Sequence, residues 1–225
     1  MNIRLVNKPL DIFLDEIESY YPILIIESKT LMYKVIKDIK NQLNNEYGDF
    51  VLSQNNKPGE LKNNFELILD PFELQINNRK ILTQIQNLAS IEAKNAVHYE
   101  ETNKIITELE KYAQHIAYTF NGNIIPKDII SCDTIIKSIN FQIDTFCDKF
   151  YGSIFEYILA INMYIGTSVF CFVNLFSYLE NDEILDLIDS CKNSHLNIIF
   201  IESKDVIIEN KYCVKTIIDS DFFHI

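Results

Sequence analysis

The sequence predicts an α/β protein in which the two terminal parts of the chain form one discontinuous head domain around an inserted, all-helical leg domain. Residues 23–26 are continuously apolar and are followed at once by residues at helical spacing, which is how a β/α unit begins. Two more apolar segments of strand length lie near the C-terminus, while the middle of the chain has helical periodicity. We therefore assign residues 1–75 and 166–225 to the head and residues 76–165 to the leg.

The first part of the head alternates short strands with one helix. Residues 3–6 and 10–13 predict a hairpin around a turn that contains Pro9. Residues 23–26 suit a strand buried on both faces. Residues 29–43 predict an amphipathic helix, and residues 50–53 and 65–69 predict two further strands, separated by the turn-forming residues 55–59.

The middle of the chain predicts long helices, and the C-terminal part returns to strands. Apolar stripes occur over residues 81–89 and 105–116. After a break at Asn121-Gly122-Asn123, Asp133 is predicted to cap a helix that extends to Phe150. The strands of the C-terminal part are predicted at residues 168–175, 196–201 and 214–218.

The composition is that of a globular chain without a membrane segment. Of the 225 residues, 48% are apolar and 23% charged, which excludes a disordered or collagen-like chain. No apolar run approaches the ~18 residues that a membrane span needs, and charge recurs too early for a signal peptide. The five cysteines are widely spaced, without a CxxC pair, so we expect reduced thiols and a cytoplasmic location.

The first strand–helix junction resembles a phosphate loop only in part. Glu27-Ser28-Lys29-Thr30 contains the Lys-Thr pair that ends such a loop. The glycines that wrap backbone N–H groups around phosphates are missing, because no glycine lies between Met1 and Tyr47. The apolar strand near residue 173 is followed by Asn174, which lacks the charge of a magnesium-binding aspartate. Nucleotide hydrolysis is therefore not expected.

Lysines in the first helix are the candidate DNA contacts. The net charge of −12 excludes a globally basic nucleic-acid binder, so any DNA contact requires a local concentration of positive charge. Lys34, Lys37 and Lys40 recur at three-residue steps, and Lys29 begins the same helix. Such a stripe is also the ordinary solvated face of an amphipathic helix, and phosphate contact is the alternative.

An oxygen-rich break between two helices is the candidate metal site. It contains Asn121, Asn123, Asp128 and Asp133, whose oxygens suit calcium, although the spacing of an EF-hand is missing. Turn and helix-cap chemistry explains the same residues without a metal.

Several segments, taken in order along the chain, resemble a known family. They are the hairpin of residues 3–13 with its Asn-Lys-Pro-Leu turn, the strand of residues 23–27, the strand and turn of residues 67–72, Asn77, the strand that ends at Asn174, and residues 199–202. Their pattern, order and length resemble the type II-A CRISPR-associated spacer-acquisition proteins, the small ring-forming Csn family that binds ends of double-stranded DNA. The resemblance covers nearly the whole chain and contains no catalytic signature.

The resemblance implies an α/β head related to phosphate-loop ATPases but degenerate in its nucleotide site. It further implies a homotetrameric ring with a lysine-lined hole for duplex DNA, and calcium that stabilises the ring. The family's calcium region falls near residues 121–133, where relatives carry several acids and this chain has mostly amides. The implied partners are the integrase and the effector nuclease of CRISPR adaptation.

We therefore expect a non-enzymatic protein of antiviral defence that binds double-stranded DNA without sequence preference during spacer acquisition. Two alternatives belong to other functional classes: a nucleotide-dependent ATPase of related fold, and a purely structural assembly protein. Nucleotide titration distinguishes the DNA-binding protein from the ATPase, and a mobility shift on linear duplex distinguishes it from the assembly protein.

Overall fold

The computed structural model describes residues 2–126 and 130–219, and this part of the chain contains nine strands and seven α-helices. The strands are β1 (Ile3–Asn7), β2 (Ile12–Leu14), β3 (Tyr21–Ile26), β4 (Phe50–Gln54), β5 (Lys57–Gly59), β6 (Phe65–Ile68), β7 (Val169–Val173), β8 (Asn197–Glu202) and β9 (Cys213–Ile218). The helices are α1 (Lys29–Leu43), α2 (Leu61–Asn64), α3 (Arg79–Ala93), α4 (Tyr99–Ala117), α5 (Cys132–Ser138), α6 (Phe150–Ile165) and α7 (Asn181–Asn193). The predicted α/β class is confirmed. None of these helices combines the length and the apolar character that crossing a bilayer requires.

A parallel sheet of five strands, in the order β6-β7-β8-β3-β9, forms the centre of the head. All four strand pairs are parallel. Every residue of β3 and β7 is buried, which explains why both strands are continuously apolar in sequence. Helix α7 connects β7 to β8, which pair from Val169–Asn197 to Val173–Ile201. The strands predicted near the C-terminus therefore form a βαβ unit.

A smaller antiparallel sheet has the order β2-β1-β4-β5. The predicted hairpin forms its first pair, with Leu5 opposite Leu14. Its turn is a short 3₁₀ helix, Lys8–Leu10, which begins where Asn7 Oδ1 accepts a hydrogen bond from the backbone N–H of Leu10 at 3.1 Å. Strand β4 then pairs with the other edge of β1. The turn chemistry of Asn7 therefore fixes the register of the hairpin.

The parallel sheet is covered on both faces. One face packs with α1 and the small sheet into a buried apolar cluster that includes Leu24, Val35 and Leu52. Side chains alternate along a strand, so the other face carries Phe172 and Phe200, whose ring centroids are 6.3 Å apart. Helices α6 and α7 lie on that face and bury their own apolar residues there.

The chain divides into two compact units: the described residues up to Ile76 and from Thr145 onward form the first, and Asn77–Asp144 the second. The sequence prediction placed residues 145–165 in the leg, whereas the structure places them in the first unit. Helix α6 explains the difference, because it packs against α7 and buries Ile154, Ile158 and Ile161. A helix that is apolar over most of its surface belongs to a core.

The predicted helix over residues 133–150 is wrong in both its length and its cap. Helix α5 ends at Ser138, and its N-cap is Ser131, whose Oγ accepts a hydrogen bond from the backbone N–H of Thr134 at 3.2 Å. Asp133 lies in the first turn of α5. Residues 139–149 are not helical, because the backbone of Ile143 bonds to a side chain from a distant segment instead.

Candidate nucleic-acid interface

Helix α1 carries the four lysines predicted to bind DNA, and the local sequence defines both its ends. Ser28 Oγ accepts a hydrogen bond from the backbone N–H of Leu31 at 3.4 Å, so Ser28 is the N-cap. Past the C-terminus, Asn45 adopts a φ of 63°, the left-handed conformation that ends many helices. The buried residues of α1, spaced four apart, are Leu31, Val35 and Ile39.

The predicted DNA contacts lie on the face of α1 opposite this buried stripe. Lys29, Lys34, Lys37 and Lys40 are all exposed, and with about 3.6 residues per turn their side chains spread over the outer half of the helix. We call these four residues the lysine face. Within the part of the chain that the structure describes, none of them forms an ion pair.

Tyr33 is a member of this surface that the sequence reasoning did not include. It lies among the lysines and is 64% exposed, and its ring centroid is 5.6 Å from Lys37 Nζ. The signal for it was its spacing, since residues four apart are neighbours on a helix. Such a cation–π contact leaves the charge of the ammonium group in place.

Asp38, the only acid in α1, is engaged away from the lysine face. Its Oδ2 accepts hydrogen bonds from Asn7 Nδ2 at 2.9 Å and from the backbone N–H of Asp49 at 3.1 Å. The chain passes this close because residue 48 is glycine, where a Cβ would overlap Asp38 Oδ1 and the side chain of Gln42. Asp38 therefore forms no ion pair with the lysine face, in a chain with a net charge of −12.

Asn174, the position considered for magnesium, is engaged in hydrogen bonds within the fold, and so is Ser28, which precedes the Lys-Thr pair. Ser28 caps α1, as described above. Asn174 follows β7 with a φ of 56°, and its Oδ1 accepts a hydrogen bond from the backbone N–H of Ser203 at 2.9 Å. Its own N–H donates to the carbonyl oxygen of Ile201 at 2.9 Å. Asn174 thus links the carboxyl ends of β7 and β8.

A buried carboxyl group, Glu202, lies at the same edge of the sheet. It is 2% exposed and accepts a hydrogen bond from the backbone N–H of Phe176 at 3.3 Å. Burial raises the pKa of Glu202 to about 7. Hydrogen bonds from the backbone N–H groups of Phe176 and Leu175 lower this pKa, but burial has the larger effect. The sequence reasoning assigned no chemistry to this residue; the signal was a glutamate directly after four apolar strand residues, Ile198 to Ile201.

The residues predicted to bind calcium fit that cation poorly where the structure describes them. Asp128 lies outside the described residues, and Asn121 and Asn123 are exposed. Asp133 Oδ1 accepts a hydrogen bond from Lys94 Nζ at 2.7 Å, and this lysine lowers the pKa of the carboxyl group. In residues 2–126 and 130–219, no three His, Cys, Asp or Glu side chains are grouped so that they could hold a metal ion. Calcium binding stays a prediction.

Two solved structures that align with this chain are a putative ABC transporter ATP-binding protein from Pyrococcus furiosus and a bacterial Atm1-family ABC exporter with ATP bound. The first is 11% identical to this chain with a TM-score of 0.39, and the match covers 96% of this chain and 97% of the ATP-binding protein. The second is 7% identical with a TM-score of 0.40, and the match covers 97% of this chain and 37% of the exporter. No curated protein matches the sequence.

The family comparison matches most of the chain. The model of the CRISPR-associated protein family Cas_Csn2 matches residues 42–222, a range that includes most of the parallel sheet and the whole second unit. The resemblance noted in the sequence is therefore confirmed. The chain belongs to the CRISPR-associated Cas_Csn2 family, and its role is associated with CRISPR adaptation.

Proposed function

We propose that this protein binds double-stranded DNA without sequence preference during CRISPR adaptation, and that it performs no catalytic step itself. The observation that supports this proposal is the lysine face of α1, with four exposed ammonium groups and no acid. Lysine is a compact point charge on a flexible stem, which suits phosphate contact rather than base reading. Ends of linear duplex are the proposed ligand, and the integrase and effector nuclease are the proposed partners.

The rigid position of the lysine face favours a function over simple solvation. Its helix is anchored by Leu31, Val35 and Ile39, each at most 2% exposed. Asp38 could have neutralised a neighbouring lysine, but it bonds to Asn7 and Asp49 instead. An unneutralised row of cations on a fixed helix is the arrangement that releases counterions from a DNA backbone.

We extend the proposal to a homotetrameric ring, as the family resemblance implies. Fourfold repetition of the lysine face would place about sixteen cations around a duplex. Four chains of −12 repel one another, so ring closure needs apolar interfaces, bridging cations or both. Helix α4 offers such apolar surface, since Ile105, Leu109, Tyr112 and Ile116 are each at least 38% exposed.

Two alternative functions remain to be tested against this one. An ATPase of related fold would bind ATP and hydrolyse it, whereas Ser28 and Asn174 are engaged in structural hydrogen bonds. Measurable hydrolysis by the purified chain would contradict the non-enzymatic part of the proposal. An assembly protein without a DNA ligand would leave linear duplex unshifted at any protein concentration.

The decisive experiment replaces Lys34, Lys37 and Lys40 by Glu together. The variant should no longer shift linear duplex in a gel, while its elution volume in gel filtration stays unchanged. A matched control makes the same change in charge at three other exposed lysines of the first unit, Lys57, Lys62 and Lys204. This control should lose much less affinity, because its lysines lie outside α1.

Equal loss in both triple variants would show that only net charge matters, and the lysine face would not be the contact surface. If the α1 variant binds normally, Arg79, Lys80 and Lys137 of the second unit become the better candidates, since all three are exposed. Ring closure has its own test. A closed ring threads onto free ends, so covalently closed circles should bind poorly at a salt concentration where linear duplex binds well.

A further inference from the structure

Three aromatic rings meet at the surface of the first unit, apart from the lysine face. Phe72 and Phe150 are stacked, with ring centroids 4.7 Å apart and planes 12° from parallel. Tyr178 meets Phe72 edge-on, at a centroid distance of 5.1 Å and an angle of 83°. Phe72 is 65% exposed and Tyr178 48% exposed. We call Phe72, Phe150 and Tyr178 the aromatic cluster.

The backbone of the aromatic cluster is fixed by the ends of two neighbouring strands. Phe72 lies in the 3₁₀ helix Pro71–Glu73 just after β6, and Asp70 Oδ1 accepts a hydrogen bond from its backbone N–H at 2.8 Å. Tyr178 follows β7, and its N–H donates to the carbonyl oxygen of Leu175 at 3.0 Å. Because β6 and β7 are adjacent parallel strands, their carboxyl ends present both rings together. A preformed ring surface loses little conformational freedom on binding.

Acidic side chains flank every ring of the cluster in sequence. Asp70 and Glu73 border Phe72, Asp148 precedes Phe150, and Glu180 follows Tyr178. All four carboxylates are exposed, and none forms an ion pair within the described residues.

Lys149 is the one base within two residues of these three rings in sequence. Lys149 precedes Phe150, and its Nζ lies 5.4 Å from the ring centroid of Tyr151. The segments that carry the three rings therefore have four exposed carboxylates and one ammonium group, and we call these carboxylates the carboxylate rim.

We propose that the aromatic cluster is a docking surface for a protein segment that presents arginine side chains. A guanidinium group binds the face of an aromatic ring and forms paired hydrogen bonds with a carboxylate, and this surface supplies both. Aromatic residues in a fixed setting are also the usual energetic centres of protein interfaces. DNA is a poor occupant, because the carboxylate rim repels phosphates.

The absence of tryptophan from the sequence makes a direct test possible. The probe is a peptide of alternating Arg and Gly with one terminal Trp, whose fluorescence anisotropy is measured against the full-length chain. Phe72→Ala should weaken binding about tenfold, and Phe72→Leu, which keeps apolar volume but removes the ring, should weaken it similarly. The matched control is Phe13→Ala, an aromatic that is 51% exposed elsewhere on the unit; it should bind like wild type.

A second peptide with Lys in place of Arg should bind more weakly than the Arg peptide. The proposal is overturned if Phe72→Ala and Phe72→Leu bind like wild type, or if Phe13→Ala weakens binding equally. It is also overturned if Phe72→Ala weakens binding of linear duplex, because the rings would then stack on bases. A lower oligomeric state of Phe72→Ala in gel filtration, with an unchanged urea denaturation curve, would identify a second copy of this chain as the occupant, which contradicts the proposal as well.

Discussion

Asn77 and Ile143 are joined by two hydrogen bonds, one in each direction. Asn77 Nδ2 donates to the carbonyl oxygen of Ile143 at 3.0 Å, and the backbone N–H of Ile143 donates to Asn77 Oδ1 at 2.8 Å. One side-chain amide thus satisfies both backbone groups of a residue 66 positions away. Because Asn77 begins the second unit and Ile143 lies next to its last residue, the pair fastens the two ends of that unit together.

Asn77→Ala should destabilise the protein by about 1–3 kcal/mol, because it leaves both backbone groups of Ile143 without their partner. Chemical denaturation of the full chain measures the loss, and the amide of Ile143 should exchange its hydrogen faster. Asn103→Ala, at an exposed position of α4, is the control and should change neither. Unchanged exchange at Ile143 in Asn77→Ala would contradict the role assigned to the amide.

This pair also explains which part of the fold the sequence could predict. Strand β3 and helix α1 have a pattern contained within the element, and the predicted bounds of α1 coincide with the observed ones. Ile136, Ile139 and Ile143 are spaced as on a helix, yet residues 139–149 are not helical. The competing partner, Asn77, is remote in sequence, so no local pattern can reveal it.

The same distinction applies to the candidate site: spacing within α1 could be predicted from the sequence, and contacts between distant segments could not. The lysine face follows from spacing within one helix, so the sequence could place its residues on one side. The removal of Asp38 from that face could not be predicted, because its partners Asn7 and Asp49 belong to other segments. The backbone at Gly48 also passes close to the side chains of Asp38 and Gln42. This contact is visible only in the tertiary structure.

DNA affinity should fall steeply with salt, and each lysine that contacts a phosphate should contribute to the slope. A plot of log affinity against log salt concentration changes by about 0.9 for each phosphate neutralised on duplex DNA. Lys37→Ala should therefore flatten the slope, whereas Lys62→Ala should leave it unchanged. Duplexes of AT-rich and GC-rich sequence should give the same slope and affinity. A strong sequence preference would show that the protein reads bases.

Glu202→Gln should remove a pH dependence of stability. The pKa of Glu202 rises from 4.5 to about 7 on folding, so between these pH values the folded chain binds more protons than the unfolded chain. The free energy of unfolding therefore falls as pH rises through this window, by up to about 3 kcal/mol. The neighbouring Cys171 thiol stays neutral there, because burial raises its pKa as well.

The measurement is urea denaturation at pH 5 and pH 8. Glutamine still accepts the backbone hydrogen bonds but carries no charge, so the variant should gain stability at pH 8. Glu209→Gln, at an exposed position, should keep the wild-type pH dependence. A Glu202→Gln variant with that same dependence would show that another group causes it.

Gly152→Ala should destabilise the protein, although alanine usually favours a helix over glycine. A Cβ at position 152 of α6 would overlap the Sγ atom of Cys147, and such overpacking costs about 1–3 kcal/mol. In a Cys147→Ala background the same substitution should be much less harmful. Gly59→Ala, whose Cβ would find its nearest neighbour at 3.7 Å, is the control. Equal losses in both backgrounds would exclude the Cys147 contact as the cause.

Calcium that binds Asp133 should compete with Lys94 for the Asp133 carboxylate. If Asp133 is a ligand, Lys94→Ala should strengthen calcium binding in a titration, because it frees the carboxylate, and Asp133→Asn should abolish it. Lys111→Ala, which breaks another exposed ion pair of the second unit, is the control. Gel filtration with chelator is the second measurement. Asp133 is excluded as a calcium ligand if the tetramer survives chelation and Lys94→Ala binds no calcium.

The Phe72–Phe150 stack bears on where the length of the chain can differ between relatives. It holds together, within the first unit, the segment that leaves for the second unit and the segment that returns from it. The stack thus joins the end of β6 to the start of α6 by a contact that lies wholly within the first unit. We therefore expect relatives to differ in length mainly between these two phenylalanines, where a change leaves the stack in place.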